Sequence, residues 1–269
     1  MNKRKVQSEK RKVKVRSLKF LVLSFSFALC ALSFELVCYA DNKIESSFYT
    51  ANSFYVQADY DAAIKQYNSI IDNGWESGNL YYNLGNCFFK KGELGKALLN
   101  YEKARRLIPL DKDLESNYDY ACSLIKGGAA VSKKSLPVKI LNNFFDKFTV
   151  DGLTILLGAF YLLILISILI SFLFKPLKKH ALVPAVFMGS FLIIGFVGLR
   201  EKTARLNKEA VVTAETADVR FEPMDKATAY FTLYEGMKVE VIASKDNWYK
   251  VKRPDNKSGW VENSAVAIF

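Results

Sequence analysis

The sequence has very little histidine and cysteine. Its one histidine, His180, lies between two long apolar runs, and only four cysteines occur in 269 residues. A Ser/His/Asp or Cys/His catalytic arrangement needs a histidine inside the catalytic domain, and a Cys/His metal cluster needs these residues at ligand spacing. We therefore expect a protein that is not an enzyme, with no cofactor and no metal site.

The two apolar runs lack charged residues. They cover 152–174 and 181–199, and each is long enough to cross a bilayer as a helix. Three lysines stand in the segment 175–180 between them, so the positive-inside rule predicts that this turn is cytoplasmic. An ion or proton path would need an ionisable residue within a span. The sequence therefore predicts a transmembrane helical hairpin that serves as an anchor.

Basic charge is concentrated near the N-terminus. Residues 1–19 contain nine Lys/Arg and one Glu, whereas 41–269 are nearly balanced, so nucleic-acid binding is not expected. An apolar run follows, and Cys38 and Ala40 fit the small positions before a cleavage site. We predict a signal peptide over 1–40, with an uncleaved signal anchor as the alternative. Either version exports the chain from residue 41 onward.

Residues 41–126 contain a 34-residue period. The shift aligns small with small and aromatic with aromatic side chains: Ala51 with Gly85, Phe54 with Phe88, Ala63 with Ala97, and Tyr67 with Tyr101. Small residues let two antiparallel helices approach closely, and large ones fill the space beside them, which is the tetratricopeptide pattern. We predict an α-helical tetratricopeptide solenoid of two repeats, covered by a capping helix over 111–126.

The first helix of each repeat lines the inner surface of such an array. Aromatic and asparagine side chains fall on this face, and we predict a partner-binding surface made of Phe48, Asn52, Tyr55, Tyr82, Asn86, Phe89 and Lys90. Aromatic side chains give contact area at low entropy cost. Resemblance to the repeat family implies that Asn52 and Asn86 hydrogen-bond the backbone of an extended ligand. The alternative is that the aromatic side chains only pack against the next repeat.

A linker and an amphipathic segment over 127–151 precede the first apolar run. One stripe of this segment is apolar and the opposite side is polar; the stripe contains Ile140, Leu141, Phe144, Phe145 and Phe148. This pattern predicts a helix lying on the bilayer surface. The alternative is a core helix of the preceding domain.

Residues 209–269 follow a linker over 200–208 and carry short alternating strands with turn residues between them. Four pieces, at 218–220, 235–236, 248–249 and 259–261, resemble the bacterial SH3 domain in their order, which implies a small all-β SH3-like barrel. Members of that family bind peptides or peptidoglycan. The resemblance implies an exposed binding surface at Trp248, Tyr249 and Trp260, and the alternative places these side chains partly in the core.

The combination of these parts resembles the BatE-type aerotolerance family. The match rests on the repeat segments 81–86, 95–97 and 104–109, the two apolar spans and the SH3-like tail. The resemblance implies a multi-pass protein of the inner (cytoplasmic) membrane with both domains in the periplasm. It also implies neighbouring von Willebrand factor A-type membrane proteins, a MoxR-type ATPase and a part in stress tolerance.

Two functions of different class follow from the sequence. One is an assembly scaffold whose tetratricopeptide groove binds a membrane or exported protein. The other is a cell-envelope tether or sensor that binds peptidoglycan through the SH3-like domain.

Cys87 and Cys122 remain after cleavage of the leader. We expect them to be free buried thiols, and a disulfide between them is the alternative.

Overall fold

The computed structural model describes residues 44–127, 136–173 and 178–269. The predicted signal peptide lies outside these residues. The first part contains five helices: α1 (44–56), α2 (Tyr60–Asp72), α3 (Gly78–Lys90), α4 (Leu94–Leu107) and α5 (Lys112–Ser123). We call residues 44–127 the helical domain.

Three helices of this domain, α2, α3 and α5, begin where a side chain satisfies one of the first N–H groups. The side chains of Asp59, Ser77 and Asp111 accept hydrogen bonds from the main-chain N–H groups of Ala62, Leu80 and Leu114, at 3.1, 3.1 and 2.8 Å. These are N-caps of the usual kind. The predicted capping helix is therefore α5, which starts directly after Asp111.

The two helical hairpins, α1–α2 and α3–α4, repeat the same geometry after 34 residues. The turn inside each hairpin contains one residue in the left-handed region, Ala58 (φ 60°) in the first and Gly92 (φ 79°) in the second. In the second hairpin, a Cβ on Gly85 would lie 2.6 Å from the Tyr101 ring. The small residue is thus required by the close approach of α3 and α4, as the repeat pattern predicts.

The C-terminal part is an antiparallel sheet, which we call the β domain (209–269). Its strands are β1 (Glu209–Val212), β2 (Thr216–Arg220), β3 (Ala229–Tyr234), β4 (Lys238–Lys245), β5 (Trp248–Lys252), β6 (Ser258–Glu262) and β7 (Val266–Ile268). Their order is β3-β2-β6-β5-β4-β1-β7. Inward-facing residues such as Val219, Leu233 and Val251 are fully buried, as period-two alternation requires.

The β domain and the helical domain share one hydrophobic core. Leu98 of α4 is 2% exposed and lies over Gly236, at the turn between β3 and β4, where an added Cβ would meet Leu98 Cδ1 at 2.6 Å. Ile125, which follows α5, packs on the same glycine. Gly95 touches the backbone of the segment after β1, because a Cβ there would lie 2.5 Å from the Val212 carbonyl oxygen. The two domains therefore pack together as one unit and are not connected through the membrane anchor alone.

Polar contacts surround this shared core. The backbone N–H of Gly95 donates to Glu235 Oε1 at 2.8 Å, and Arg106 pairs with Glu209 at 3.1 Å. Buried Glu102 of α4 pairs with Lys238 of β4 at 3.1 Å. These bonds fix the orientation of the β domain on α4.

Two long helices lie between the domains in sequence. They are α7 (Val150–Leu173) and α8 (Lys178–Leu206). Among the described residues, α7 is the helix that is long and apolar enough to cross a membrane, and most of its side chains face outward from the protein. Such an outward apolar surface is typical of a helix that contacts lipid.

Helix α8 packs antiparallel against α7. The Phe160 and Phe191 ring centroids are 4.8 Å apart, and Gly195 faces Leu157, whose Cδ2 would lie 2.4 Å from a Cβ at Gly195. Helix α8 continues to Leu206, so the predicted linker over 200–208 is largely helical instead. The second span over 181–199 remains a prediction.

The predicted surface helix is α6 (Leu136–Phe145), and it packs against α8. Phe145 is buried over Gly198, while Ile140 and Phe144 are 69% and 50% exposed. Lys202 of α8 donates through Nζ to the Phe145 carbonyl at 3.1 Å and to the Phe148 carbonyl. The apolar stripe is therefore split: Phe145 and Phe148 pack inward, whereas Ile140, Leu141 and Phe144 are exposed.

Candidate functional site

A pocket of about 370 Å³ opens on the inner side of the helical domain. Five of the seven predicted binding residues line it: Tyr55, Tyr82, Asn86, Phe89 and Lys90. Three residues outside the predicted binding set complete the wall: Tyr101, Asn117 and Tyr120. We call this the inner groove.

A hydrogen-bond motif in the helical domain repeats after 34 residues. Asn86 Oδ1 accepts from the Tyr101 hydroxyl at 2.7 Å and from Asn117 Nδ2 at 3.1 Å. In the preceding hairpin Asn52 Oδ1 accepts from the Tyr67 hydroxyl and from Asn83 Nδ2 at 2.9 Å. Each asparagine thus links the two helices of its own hairpin to the next helix along.

This motif fixes the orientation of the asparagine side chains. Oδ1 of Asn86 accepts two hydrogen bonds, which fix the orientation of the side-chain amide. Its Nδ2 group is then left as a donor. In the described part of the chain, Nδ2 of Asn86 has no acceptor, and it is not among the buried unsatisfied atoms. It is therefore a preorganised, solvent-accessible donor at the wall of the groove, suited to a peptide carbonyl oxygen.

The tyrosine hydroxyls of the motif remain protonated donors. Burial raises the pKa of Tyr101 and of Tyr67 well above the ordinary value for tyrosine. Asn117 Nδ2 also donates to the Tyr82 hydroxyl at 2.8 Å. The Tyr101 and Tyr67 hydroxyls are therefore neutral hydrogen-bonding groups at any physiological pH.

The charge of the groove comes from Lys90. Its side chain is exposed, and within the described residues it forms no ion pair, whereas the neighbouring Lys91 pairs with Glu93 at 3.1 Å and also with Asp61. Among the residues that the structure describes, no carboxylate lines the groove. A ligand segment that carries an acidic side chain or a terminal carboxylate fits this arrangement.

Phe48 and Asn52 lie outside the groove lining. Phe48 packs on the Tyr67 ring at a centroid distance of 5.9 Å, and Asn52 supplies the hydrogen bonds of the first hairpin. The missed residues had a detectable signal, because Asn83 and Asn117 stand 34 residues apart, as Tyr67 and Tyr101 do. Tyr120 is 60% exposed and lies 5.8 Å from Phe89 between ring centroids.

The predicted aromatic surface of the β domain needs correction. Trp248 is only 8% exposed and belongs to the interior, while Tyr249 and Trp260 are half-buried. The exposed aromatic side chains are Phe221 and Tyr230, which lie 4.6 Å apart between centroids beside β2 and on β3. Trp248 follows a tight turn at Asp246, and its side chain points inward from the start of β5.

Both cysteines that the structure describes are free thiols. Cys87 is fully buried in α3, and Cys122 is half-buried in α5. Burial raises the pKa of the Cys87 thiol to about 12, so it stays neutral and unreactive. The expectation of free thiols is met, and Cys87 acts as a small apolar core residue.

Comparison with protein families agrees with this architecture. Residues 78–109, which contain α3 and α4, match the tetratricopeptide repeat, and residues 215–267 match the bacterial SH3 domain. No curated protein shows a significant match to the chain. The helical groove is thus built on a tetratricopeptide repeat, and the sheet packed behind α4 is a bacterial SH3 domain.

Proposed function

We propose that this chain is a non-enzymatic scaffold, anchored in the cytoplasmic membrane, that binds an extended segment of a partner protein in its inner groove outside the cytoplasm. The observation that carries the proposal is the repeated asparagine–tyrosine–asparagine motif. It orients Asn86 Nδ2 before any ligand arrives, and preorganised donors reduce the entropy lost on binding.

The chemistry of the groove favours an acidic or carboxyl-terminal segment. Phe89 and Tyr120 supply apolar contact area, Asn86 supplies a donor for a backbone carbonyl, and Lys90 supplies an unpaired positive charge. Aromatic anchors surrounded by polar groups are the usual source of binding energy at protein interfaces. Partners with an acidic exported tail, which can include von Willebrand factor A-type membrane proteins, fit the groove.

Membrane anchoring supports the same proposal. Helix α7 has the length and composition of a span, and α8 packs antiparallel along it. The three lysines in 175–180 favour a cytoplasmic turn, which puts both domains on the outer side of the membrane. The shared core of the two domains is in keeping with that arrangement, because both ends of a hairpin emerge on one side.

The groove is tested by cross-linking the tagged full-length protein in intact membranes. We expect the Phe89→Ala, Tyr120→Ala double variant to capture at least tenfold less partner protein than the unchanged protein. The reason is that each aromatic anchor contributes about 2 kcal/mol or more to the binding free energy. Tyr49→Ala with Leu110→Ala is the matched control, since both side chains are more than 60% exposed and neither lines the groove. Equal capture by the groove variant and the control would contradict the proposal.

Asparagine substitutions are unsuited to this test. Asn86→Ala would remove the acceptor of the hydroxyl group of Tyr101, a residue that is only 1% exposed. A buried hydroxyl left without a partner costs about 1–3 kcal/mol of stability. A loss of capture would then report a destabilised fold as readily as a lost contact. Phe89 and Tyr120 avoid this problem because they are partly exposed.

A second candidate function is a tether to the cell envelope, and the exposed Phe221–Tyr230 pair on the bacterial SH3 domain favours it. Stacked exposed aromatic rings are suited to the apolar faces of sugars and to peptide stems. The full-length protein in detergent is sedimented with purified sacculi, because the β domain shares its core with the helices. We expect Phe221→Ala with Tyr230→Ala to abolish pelleting. No pelleting of the unchanged protein above a soluble control would remove this function.

A further inference from the structure

A basic cavity lies where the helical domain, α8 and the β domain meet. It consists of two adjoining pockets of about 100 and 320 Å³ that share Arg205, Glu209 and Lys238 in their walls. Together the two walls contain eight lysines and arginines and four acidic residues. The excess of positive charge disfavours a metal cation and favours an anion.

Three of these cations form no ion pair in the described part of the chain, although Glu240 lies opposite Lys252 in the sheet. In the described part of the chain, Lys208 and Lys252 form no ion pair, and buried Lys202 donates only to main-chain carbonyl groups. The Nε atom of Arg205 is buried and has no hydrogen-bond partner, although its other nitrogens bond Asp146 at 2.8 and 3.4 Å. A buried unsatisfied donor costs free energy unless a ligand supplies the acceptor.

The position of the cavity along α8 indicates which anion it meets. Arg205 lies six residues beyond Leu199, the last residue of the predicted second span, which is about 9 Å along a helix. The polar headgroup layer extends roughly 5–8 Å beyond the hydrocarbon core on each side. The cavity therefore lies at the water-facing boundary of this layer, where its long lysine and arginine side chains can extend toward the headgroup phosphates.

We infer that this cavity binds the phosphate headgroup of an anionic phospholipid in the outer leaflet. The inference rests on the membrane anchoring in the proposed function but not on the groove. The headgroup phosphate accepts from Arg205 and is attracted by Lys208 and Lys252. The bound lipid then joins α8 to β5, which holds the β domain at a fixed height above the bilayer.

The test uses the full-length protein in an uncharged detergent, with phosphatidylglycerol or phosphatidylcholine added and bound lipid counted by native mass spectrometry. We expect retention of phosphatidylglycerol over phosphatidylcholine. The Lys208→Gln, Lys252→Gln variant is expected to bind phosphatidylglycerol about 25-fold more weakly, about fivefold for each lysine. Lys226→Gln with Lys245→Gln is the matched control, because both lysines are exposed in the same domain and lie outside the cavity.

Three outcomes overturn the inference. They are equal retention of the two lipids, equal loss in the variant and the control, and complete displacement of the lipid by millimolar inorganic phosphate, which would mark a site for free anions. Partner capture is measured on the same variants. No lipid preference in the unchanged protein, with capture still lost in the Phe89 variant, refutes the lipid site alone. Equal capture by the Phe89 variant and its control, with the lipid preference intact, refutes the groove alone.

Discussion

Replacing Leu98 by alanine is expected to destabilise the β domain as much as the helical domain. Leu98 lies in α4, is 2% exposed, and fills the space above Gly236 of the β domain. Removal of a buried leucine side chain costs about 2–5 kcal/mol. Because the removed atoms belong to the core of both domains, both should unfold at the same lower denaturant concentration.

The measurement follows two signals during urea unfolding of the full-length protein. Circular dichroism reports the helices, and tryptophan fluorescence in a Trp75→Phe background reports the β domain through Trp248 and Trp260. Leu107→Ala is the control on the same helix, since Leu107 is 39% exposed and should cost much less. A shift in the helical signal with unchanged fluorescence would show that the domains are independent.

Replacing Glu102 by alanine is expected to have a comparable effect. Glu102 is 5% exposed, and its Oε1 accepts from the Tyr118 hydroxyl at 2.7 Å and pairs with Lys238 of β4 at 3.1 Å. Arg105 lies 3.7 Å from Oε2. Truncation leaves the Tyr118 hydroxyl without its acceptor and removes one of the two carboxylates that each of Lys238 and Arg105 contacts, which costs about 1–3 kcal/mol.

The charge on Glu102 also makes the interface depend on pH. Burial opposes its ionisation, but Lys238, Arg105 and the Tyr118 hydroxyl outweigh burial, so the pKa of Glu102 is lowered below 4.5. A lowered folded-state pKa gives stability that is complete above pH 4.5 and is lost as the pH falls through the folded-state pKa. The Glu102→Gln variant should therefore be less stable than the unchanged protein near pH 7. The difference between their free energies of unfolding should become smaller as the pH falls below 4.5.

Glu115→Ala provides the control for this prediction. Glu115 pairs with the same Arg105 at 2.9 Å, but its side chain is 47% exposed, and such pairs contribute about 1 kcal/mol or less. The free energy of unfolding is measured from pH 7 to pH 3 for all three variants. Equal destabilisation by Glu102→Ala and Glu115→Ala would contradict the assignment of Glu102 to the shared interface.

The sequence predicts local structure well where a periodic pattern determines it. The 34-residue shift identifies the close approach at Gly85 and Tyr101, and the alternation in 209–269 identifies the strands. Five of the seven predicted binding residues line the groove because they share one face of α1 and α3. These features depend on contacts within one repeat or between adjacent strands.

The contact between the two domains could not be predicted in the same way. A leucine such as Leu98 is common at any buried helix position, and a glycine such as Gly236 is common in any turn. Neither residue type therefore indicates a contact with a residue 138 positions away in the sequence. The inward position of Trp248 likewise depends on how β5 enters the sheet. Long-range packing requires the relative placement of whole elements, which residue periodicity does not contain.

The most direct test of the central claim is a photoreactive amino acid placed at Phe89 in the groove and, as a control, at exposed Val56 outside it. Irradiation of intact cells is followed by identification of the cross-linked protein. We expect the photoreactive residue at position 89, and not the one at position 56, to cross-link to one defined membrane or exported protein. The cross-link should lie in an acidic or carboxyl-terminal segment of that protein. Capture of the same proteins at both positions, or of cytoplasmic proteins at position 89, would contradict it.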